Sequence, residues 1–555
     1  MTEGQVRPRI RHNDHSPLVP PPVGEWVPAL PASVVIPAHG RQHRLDLTLA
    51  ALAAQTYPAS LTEVIVVDDG SDPPLRLPEI RPDDTRIIAA PAGGWGAGHA
   101  MNAGIEAADG EIVQRLDADM VICREHLEAL FRWHHLTDYL VTIGGKKFAE
   151  EPDLTPEQVY DAVRHGTPES LFDPEALVSS STEETIRRLD GLRASRNPYQ
   201  VCTGPTVSLR RTLLREVRGF DPEVVRGQDT EFAYRLAQAG AVFVPDMTAR
   251  AVHLGLPAQR GAHGKAIVRL VETHLAQKVP LRRDLRKERG RRRLVPYVEI
   301  VLDTTGAEEA LIRATVDAIL TGGGAQAGPT DIAVTLVGPW PELSGRASRM
   351  PGSREFDLAL VLEAFRHDQR VRFAERAAPT AAPTPFRYTS PIDAPPAADA
   401  LERMTRAMLE ERLGLLVVEL PDGRTATLER TEAVARARLL ARPGEEPAAV
   451  IEATHGVRHA AEKEFLTTPR RGPGQPSPPA ESPKRPQERP QASQHGAAAE
   501  KPGASQRPGA SQRPGAPQRT GASERSGDSE QGGAAAPGPA NRRGGRRLGG
   551  LFRRS

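Results

Sequence analysis

The alternation of short apolar runs with helical patterns is the feature that most constrains the fold of this 555-residue chain. Between residues 31 and 260, strand-like runs such as 33–37 and 64–67 alternate with helical patterns such as 45–55. Continuous apolar runs are typical of parallel strands buried on both faces. The pattern therefore predicts an α/β fold built on a mostly parallel sheet.

The same alternation begins again later in the chain. After a basic, helical segment at 261–294, residues 295–466 repeat strand and helix patterns and predict a second, smaller α/β domain. Its second strand runs into Gly338-Pro339-Trp340 and lacks polar residues of the kind that follow residues 64–67. The second domain is therefore either a degenerate copy of the first or an unrelated α/β module.

Both ends of the chain have compositions that predict disorder. Residues 1–30 are polar and proline-rich, and residues 467–555 are rich in proline, glycine and arginine. Residues 469–555 contain only three large apolar residues, too few to offset an ordering entropy of about 1–2 kcal/mol per residue. Their 16 basic and 6 acidic side chains give a net charge of +10, which leaves −9 for the rest. This tail either contacts an anionic membrane or only solubilises the protein, whereas nothing in the folded part favours nucleic acid.

Several classes of protein are excluded by absences in the sequence. No stretch approaches the ~20 consecutive apolar residues of a membrane-spanning helix. The N-terminus lacks the apolar core of a secretory signal. Two cysteines, Cys123 and Cys202, form neither a disulfide framework nor a zinc motif. These features predict a cytoplasmic protein, with peripheral contact at the inner face of the plasma membrane through the tail.

Carboxylates follow two of the predicted strands at their carboxyl ends, where open α/β sheets bind ligands. Asp68 and Asp69 follow the run at 64–67, although an Asp-Gly-Ser turn also ends many strands without a function. Asp117 and Asp119 follow a strand at 111–116. Two carboxylates at this spacing can face one divalent cation, although surface loops also produce the pattern. A glycine-rich loop at 93–98 gives backbone access to a phosphate or is a loop without a role.

Two residues further along the chain have both a structural and a chemical interpretation. Asp229 opens an amphipathic helix and is either an N-cap worth about 1 kcal/mol or a general base at the mouth of the site. His253 follows a strand-like run and is either a metal ligand or a half-buried histidine. The His134-His135 pair is expected to be solvated surface.

Taken in chain order, these elements resemble the family 2 glycosyltransferases. The matching elements are residues 34–37, 66–71, 102–104, 116–119, 218–221 and 227–236. Each is short, but all six occur in the order and spacing of the family. Gln228 departs from the family pattern because an acid often precedes the base at this position.

The resemblance implies a GT-A fold with a Rossmann-like sheet, and it implies roles for individual residues. Asp229 would be the catalytic base of an inverting displacement. Asp119, Asp117 and His253 would hold Mn²⁺ or Mg²⁺. The residues that would contact the nucleotide sugar are Pro37, Asp68, Asp69, Asn102, Asp117, Thr203 and Gly204.

The resulting hypothesis is an enzyme that moves a sugar from a nucleotide-diphosphate donor, most often UDP-linked in similar proteins, to an acceptor hydroxyl. The acceptor would be a glycan or lipid-linked saccharide of the bacterial envelope. A nucleotidyltransferase is one alternative, but residues 34–41 lack its glycine-rich loop with a basic residue. A catalytically inactive scaffold is another, and retention of Asp69, Asp119 and Asp229 argues against it.

Overall fold

The computed structural model describes residues 7–151, 153–202, 204–257, 263–288, 291–321, 331–397 and 399–466. The expectations for Thr203 and for the tail at 467–555 lie outside these residues. Within the described ranges, no helix is both long and apolar enough to cross a bilayer.

The first α/β region, residues 31–257, contains two sheets and most of the helices that surround them. Its strands are β1 (Ala32–Ala38), β2 (Thr62–Asp68), β3 (Thr85–Ala89), β4 (Ile112–Arg115), β5 (Met120–Ile122), β6 (Leu140–Gly144), β7 (Lys147–Ala149), β8 (Val178–Ser179), β9 (Val207–Arg210), β10 (Val242–Asp246) and β11 (Ala251–Leu254). The helices of this region and the segment after it are α1 (Gln42–Ala53), α2 (Ala97–Ala107), α3 (His126–His134), α4 (Pro156–Arg164), α5 (Ser181–Arg188), α6 (Arg211–Val217), α7 (Gln228–Gln238) and α8 (Gly264–Lys278).

The larger sheet of this region has the strand order β10-β6-β9-β4-β1-β2-β3. All neighbours are parallel except β9, which is antiparallel to both β4 and β6. Val34 and Val35 of β1 are fully buried on opposite faces of the sheet, which explains the uninterrupted apolar run. The predicted α/β fold with a mostly parallel sheet is confirmed.

A smaller sheet with the order β5-β11-β7-β8 lies at the carboxyl end of β4. The turn after β4 leads directly into β5, and β5 pairs antiparallel with β11 so that His253 lies opposite Met120. This pairing brings a residue from the end of the region next to the Asp117–Asp119 turn.

The second α/β region, residues 295–466, is built around one large sheet. Its strands are β12 (Val298–Asp303), β13 (Ile332–Val337), β14 (Val371–Ala374), β15 (Phe386–Thr389), β16 (Leu415–Glu419), β17 (Thr425–Arg430) and β18 (Val457–Ala461). Its helices are α9 (Glu309–Thr321), α10 (Arg354–Phe365), α11 (Ala400–Glu411), α12 (Thr431–Leu440), α13 (Pro447–Thr454) and α14 (Glu462–Phe465).

The two large sheets have the same topology. The second sheet has the order β14-β13-β12-β15-β17-β16-β18, and its one strand that is antiparallel to both neighbours is β17, as β9 is in the first sheet. The corresponding strands also follow one another in the same order along the chain. Two helices, α12 and α13, connect β17 to β18, as α6 and α7 connect β9 to β10.

The two α/β regions share a hydrophobic cluster. Tyr139, Leu140 and Val244 of the first region pack with Leu440 and Ile451 of the second. The segment between the regions, predicted as a basic linker, is also packed, since Leu275 of α8 and Val279 lie in the core of the first region. The boundary at 261–294 is therefore not a free joint.

The expectation of disorder for residues 1–30 is wrong for residues 7–30. Ile10 is fully buried in the shared cluster, and the Asn13 side chain donates to the carbonyl oxygens of Leu192 and Phe243. Composition suggested disorder because this segment has few apolar residues of its own. It is ordered because it lies against a surface that both α/β regions provide.

Candidate active site

The predicted metal ligands converge at the carboxyl end of β4. One ligand atom from each of Asp117, Asp119 and His253 lies within 4.8 Å of the other two. His253 Nε2 is 3.4 Å from Asp119 Oδ1, and the backbone N–H of Leu254 donates to the carbonyl oxygen of Asp119 at 2.8 Å. The structure thus brings together all three residues that the sequence proposed as a metal site.

The electrostatics of this cluster favour an added cation. Burial raises the pKa of Asp119, and the Asp117 carboxylate raises it further, whereas His253 and Arg44 oppose the shift. Arg44 of α1 approaches Asp119 Oδ2 at 3.3 Å and also donates to the carbonyl oxygen of Leu254 at 2.7 Å. Two carboxylates and an imidazole are suitable ligands for a divalent metal ion, and its charge would favour ionisation of Asp119.

Arg115, the last residue of β4, connects the metal cluster to the predicted base. Its guanidinium donates to Asp117 Oδ1 at 3.0 Å and to Asp229 Oδ1. The side chain is only 9% exposed, so both ion pairs are shielded from water on one side. Sequence analysis missed Arg115. The available signal was a charged residue in a buried strand, two residues before the Asp-x-Asp motif.

Asp229 lies in the first turn of α7 but does not cap it. The helix begins at Gln228, its N-cap residue is Gly227, and no side chain caps it. The N-cap interpretation of Asp229 is therefore wrong. A Cβ at Gly204 would lie 3.7 Å from Asp229 Oδ2 and 3.6 Å from Lys146 Nζ, and Gly204 has a φ of +99°. Glycine readily adopts this positive φ, and without a Cβ it leaves space beside the second oxygen of Asp229.

Lys146 is a second cation near the base that sequence analysis did not identify. Burial lowers its pKa to about 8, with Arg115 lowering it further and Asp117 opposing the shift. Its position follows from the β6–β7 connection, which returns the chain to the metal cluster after Gly144 and Gly145.

The first residues that the resemblance assigns to nucleotide contact lie at the ends of β1 and β2. The Asp69 side chain accepts a hydrogen bond from the backbone N–H of Gly96 at 2.6 Å, so it anchors the glycine-rich loop. His39 Nδ1 lies 3.0 Å from the carbonyl oxygen of Asp69, and the ring of Trp95, 59% exposed, meets the His39 ring edge-on. Pro37 is half-buried at the end of β1.

Two residues that the resemblance assigns to nucleotide contact, Asp68 and Asn102, hold loops in place. Asp68 accepts hydrogen bonds from the backbone N–H groups of Ser71 and Leu75 at 2.8 and 3.0 Å. Burial alone raises the pKa of Asp68, but these bonds outweigh it and the net shift is downward. The Asn102 amide donates to the carbonyl oxygen of Phe220 and accepts from its N–H, both at 2.8 Å.

His134 also differs from its expected solvated position. It is 1% exposed, Nε2 lies 2.9 Å from Ser208 Oγ, and burial lowers its pKa to about 3. The α3 helix is buried on more of its surface than its sequence pattern suggested, because it packs against β6 and β9.

The fold and the carboxylate cluster at the ends of parallel strands are those of an α/β enzyme that uses a metal-bound anionic substrate. Residues 33–218 match the family model described as "Glycosyl transferase family 2". This part of the chain is therefore similar to the family 2 glycosyltransferases.

Individual relatives are distant and cover only parts of the chain. A chondroitin synthase of Pasteurella multocida is 28% identical over 38% of this chain and 23% of its own length. A chondroitin synthase of Escherichia coli is 25% identical over 52% of this chain and 44% of its own. The chain thus spans less than half the length of these relatives. The solved mannosyltransferase of Pyrobaculum calidifontis with GDP-Man and Mn²⁺ is 19% identical over 48% of this chain and 68% of its own, with a TM-score of 0.30.

Proposed function

We propose that the first α/β region transfers a sugar from a nucleotide-diphosphate donor to an acceptor hydroxyl, with inversion and on a GT-A fold. The observation that carries the proposal is the cluster of Asp117, Asp119 and His253, connected through Arg115 to Asp229. This arrangement combines a candidate site for a metal-bound diphosphate with a carboxylate that can accept a proton. A UDP-linked donor is the first to test.

The residues of the cluster fit a divalent metal ion, either Mn²⁺ or Mg²⁺. Asp117 and Asp119 provide carboxylate oxygens, and His253 provides Nε2. Such an ion would stabilise the negative charge on the departing diphosphate. Arg115 and Lys146 add fixed positive charge beside the same place, which would favour a polyanionic donor.

Asp229 is proposed as the general base. Arg115 holds its Oδ1, and its Oδ2 lies beside Gly204, with which Asp229 lines a small cavity. An acceptor hydroxyl placed there would give its proton to Oδ2 while its oxygen attacks the anomeric carbon from the side opposite the diphosphate. One displacement of this kind inverts the configuration at that carbon.

The second α/β region is proposed to be a degenerate copy of the first without a donor site. Strands β2 and β13 correspond, and their first paired residues are Thr62 and Ile332. Counted from these residues, Gly338 and Pro339 occupy the positions of Asp68 and Asp69. The same counting places Pro391 at the position of Asp117 and Asp393 at that of Asp119. The shared topology supports common origin, and the replaced carboxylates support loss of the site.

The test compares equivalent carboxylates in the two regions. Thermal shift is measured with UDP-glucose, UDP-N-acetylglucosamine, UDP-glucuronic acid and GDP-mannose, with and without Mn²⁺. Asp119→Asn is expected to abolish the metal-dependent shift, and the matched control Asp393→Asn is expected to retain it. Ligand at 100 times its Kd stabilises by about 2.7 kcal/mol, which is readily measured. A shift that persists in Asp119→Asn would show that the metal site is misplaced.

A second measurement separates the base from the donor site. Asp229→Asn is expected to keep the donor-dependent shift and to lower transfer by at least about 10², the usual range for loss of a general base. A parallel loss of donor affinity would mean that Asp229 serves binding and that the base lies elsewhere.

A location at the inner face of the plasma membrane is proposed from the basic tail alone. Its net charge of +10 and its terminal arginines suit an anionic inner membrane leaflet, where a glycan or lipid-linked acceptor of the envelope would be available. Deleting residues 541–555 is expected to release the protein from anionic vesicles at low salt without changing turnover on a soluble acceptor. Equal sedimentation of the full-length and truncated proteins would contradict a membrane role.

A further inference from the structure

A groove of about 470 Å³ opens between β7 and the N-terminal end of α5. Phe148 and Lys146 line it from the β6–β7 side, Ser179 and Ser181 from β8 and α5, and Gln200 from the turn before β9. We refer to these residues together as the hydroxyl groove. They belong to the stretch between β6 and β9, which is much longer than its counterpart between β16 and β17 in the second region.

Two residues of the hydroxyl groove lie beside the candidate active site. Lys146 lines the groove, and its Nζ lies beside the same point near Gly204 as Asp229 Oδ2. The Phe148 ring packs against the His253 ring with centroids 5.2 Å apart. A molecule in the groove would therefore reach both the proposed base and the edge of the metal cluster.

The chemistry of the lining suits the hydroxyl groups of a saccharide. Ser179 through Thr182 and Thr185 provide hydroxyl groups, and Gln200 provides an amide, all of which donate and accept hydrogen bonds. Phe148 offers an apolar ring for the C–H face of a sugar. Among the described residues that line the groove, none is acidic.

A second cavity of the first region does not meet these requirements. It has a similar volume of about 470 Å³, lies behind β5 and β11, and is lined mainly by apolar side chains such as Val121, Ile186 and Val252. Its described lining residues include neither Lys146 nor Phe148, the two groove residues that lie beside the candidate active site. An acceptor bound there would not present a hydroxyl to the base.

We propose that the hydroxyl groove binds the acceptor and that the acceptor is a saccharide of at least two sugar residues. This inference rests on the proposed glycosyl transfer. The terminal hydroxyl lies at Asp229 Oδ2, and the preceding sugars lie along Ser181 and Gln200. The acceptor oxygen bonds to the anomeric carbon, the bond from that carbon to the diphosphate oxygen breaks with its electron pair leaving on the diphosphate, and the hydroxyl proton passes to Asp229.

The test uses a bulky substitution and a matched control on one helix. Ser181 lines the groove, whereas Glu184 is exposed on the same helix outside it. Saturation-transfer NMR is recorded without donor for chitotriose, cellotriose, maltotriose and mannotriose. At least one trisaccharide is expected to bind the wild type and Glu184→Trp, and to bind Ser181→Trp at least about tenfold more weakly, a loss of 1.4 kcal/mol. Gln200→Ala, which adds no bulk, is expected to weaken the same binding.

Failure of this proposal is distinguishable from failure of the proposed function. If none of the four trisaccharides binds the wild type, or if binding is unchanged in Ser181→Trp, the groove is not the acceptor site. The metal-dependent donor shift is measured separately on the same variants and is expected to be unchanged in Ser181→Trp. Absence of that shift from the wild-type protein would instead overturn the donor site, whatever the trisaccharides do.

Discussion

Replacing Arg436 with methionine is expected to destabilise both α/β regions together. Arg436 lies on α12 of the second region and is 3% exposed. Its guanidinium donates to the carbonyl oxygens of Gly240 and Ala241 in the first region, and to those of Ile10 and His12 in the N-terminal segment. One side chain therefore satisfies four backbone acceptors from parts of the chain that are far apart in sequence.

The magnitude follows from two opposing contributions. Each buried carbonyl oxygen left without a donor costs about 1–3 kcal/mol, so four of them set the scale of the loss. Methionine removes the cost of burying a guanidinium whose hydrogen bonds among the described residues go to carbonyl oxygens. That cost is evident because burial lowers the pKa of Arg436. The balance is an expected loss of about 3–5 kcal/mol in the free energy of unfolding.

The assay compares Arg436→Met with Arg438→Met, which changes an exposed arginine two residues further along the same helix. Urea unfolding is followed by circular dichroism, and hydrogen exchange is measured for residues 7–15. Arg436→Met is expected to lower stability and to speed exchange in the N-terminal segment, whereas Arg438→Met leaves both near the wild-type values. A loss below about 1 kcal/mol, or unchanged exchange at residues 7–15, would refute the reasoning.

Three further predictions follow from the site and the shared core. Burial lowers the pKa of Lys146 from 10.5 to about 8, so its buried charge costs stability below pH 8, and this cost disappears as the pH rises to 10.5. The stability of the wild type relative to Lys146→Met should therefore rise by up to about 3 kcal/mol across that range, as measured by urea unfolding. Asn102→Ala should cost about 1–3 kcal/mol of stability, because the Asn102 amide holds the backbone of Phe220. The donor-dependent thermal shift should be retained, and its loss would support a role for Asn102 in nucleotide binding. The fragment 295–466 should not form a soluble monomer, because removal of the first region exposes Leu440 and Ile451 to water. A monodisperse monomer with a dispersed NMR spectrum would contradict this prediction.

The parts of the site that sequence analysis predicted are those fixed by strand ends. Asp69, Asp117 and Asp119 follow parallel strands, and the carboxyl ends of such strands meet at one edge of a sheet. His253 was harder to place, because its position depends on pairing between two short strands that are far apart in sequence. The family resemblance supplied it where periodicity did not.

The parts that were missed depend on tertiary contacts. Arg115 looks like an ordinary strand residue until α7 brings Asp229 opposite it. Residues 7–30 have too little apolar surface to fold alone, and only the two α/β regions together bury Ile10. Asn102 matches the family motif, but its amide is used by the backbone of Phe220, a contact that no local pattern reveals.

If the second region is a degenerate copy, as proposed, the small sheet of the first region bears on whether a metal site could return there. Among the described strands of the second region, none corresponds to β5, β7, β8 or β11. An aspartate restored at Pro391 would return a carboxylate beside Asp393, but no strand would bring an imidazole to it, and Asp393 is already bound to Arg424 at 2.8 Å. Point substitution alone therefore cannot rebuild the ligand set. An ancestor that lost this sheet would have been committed to a structural role, and its former catalytic edge would have been free to change.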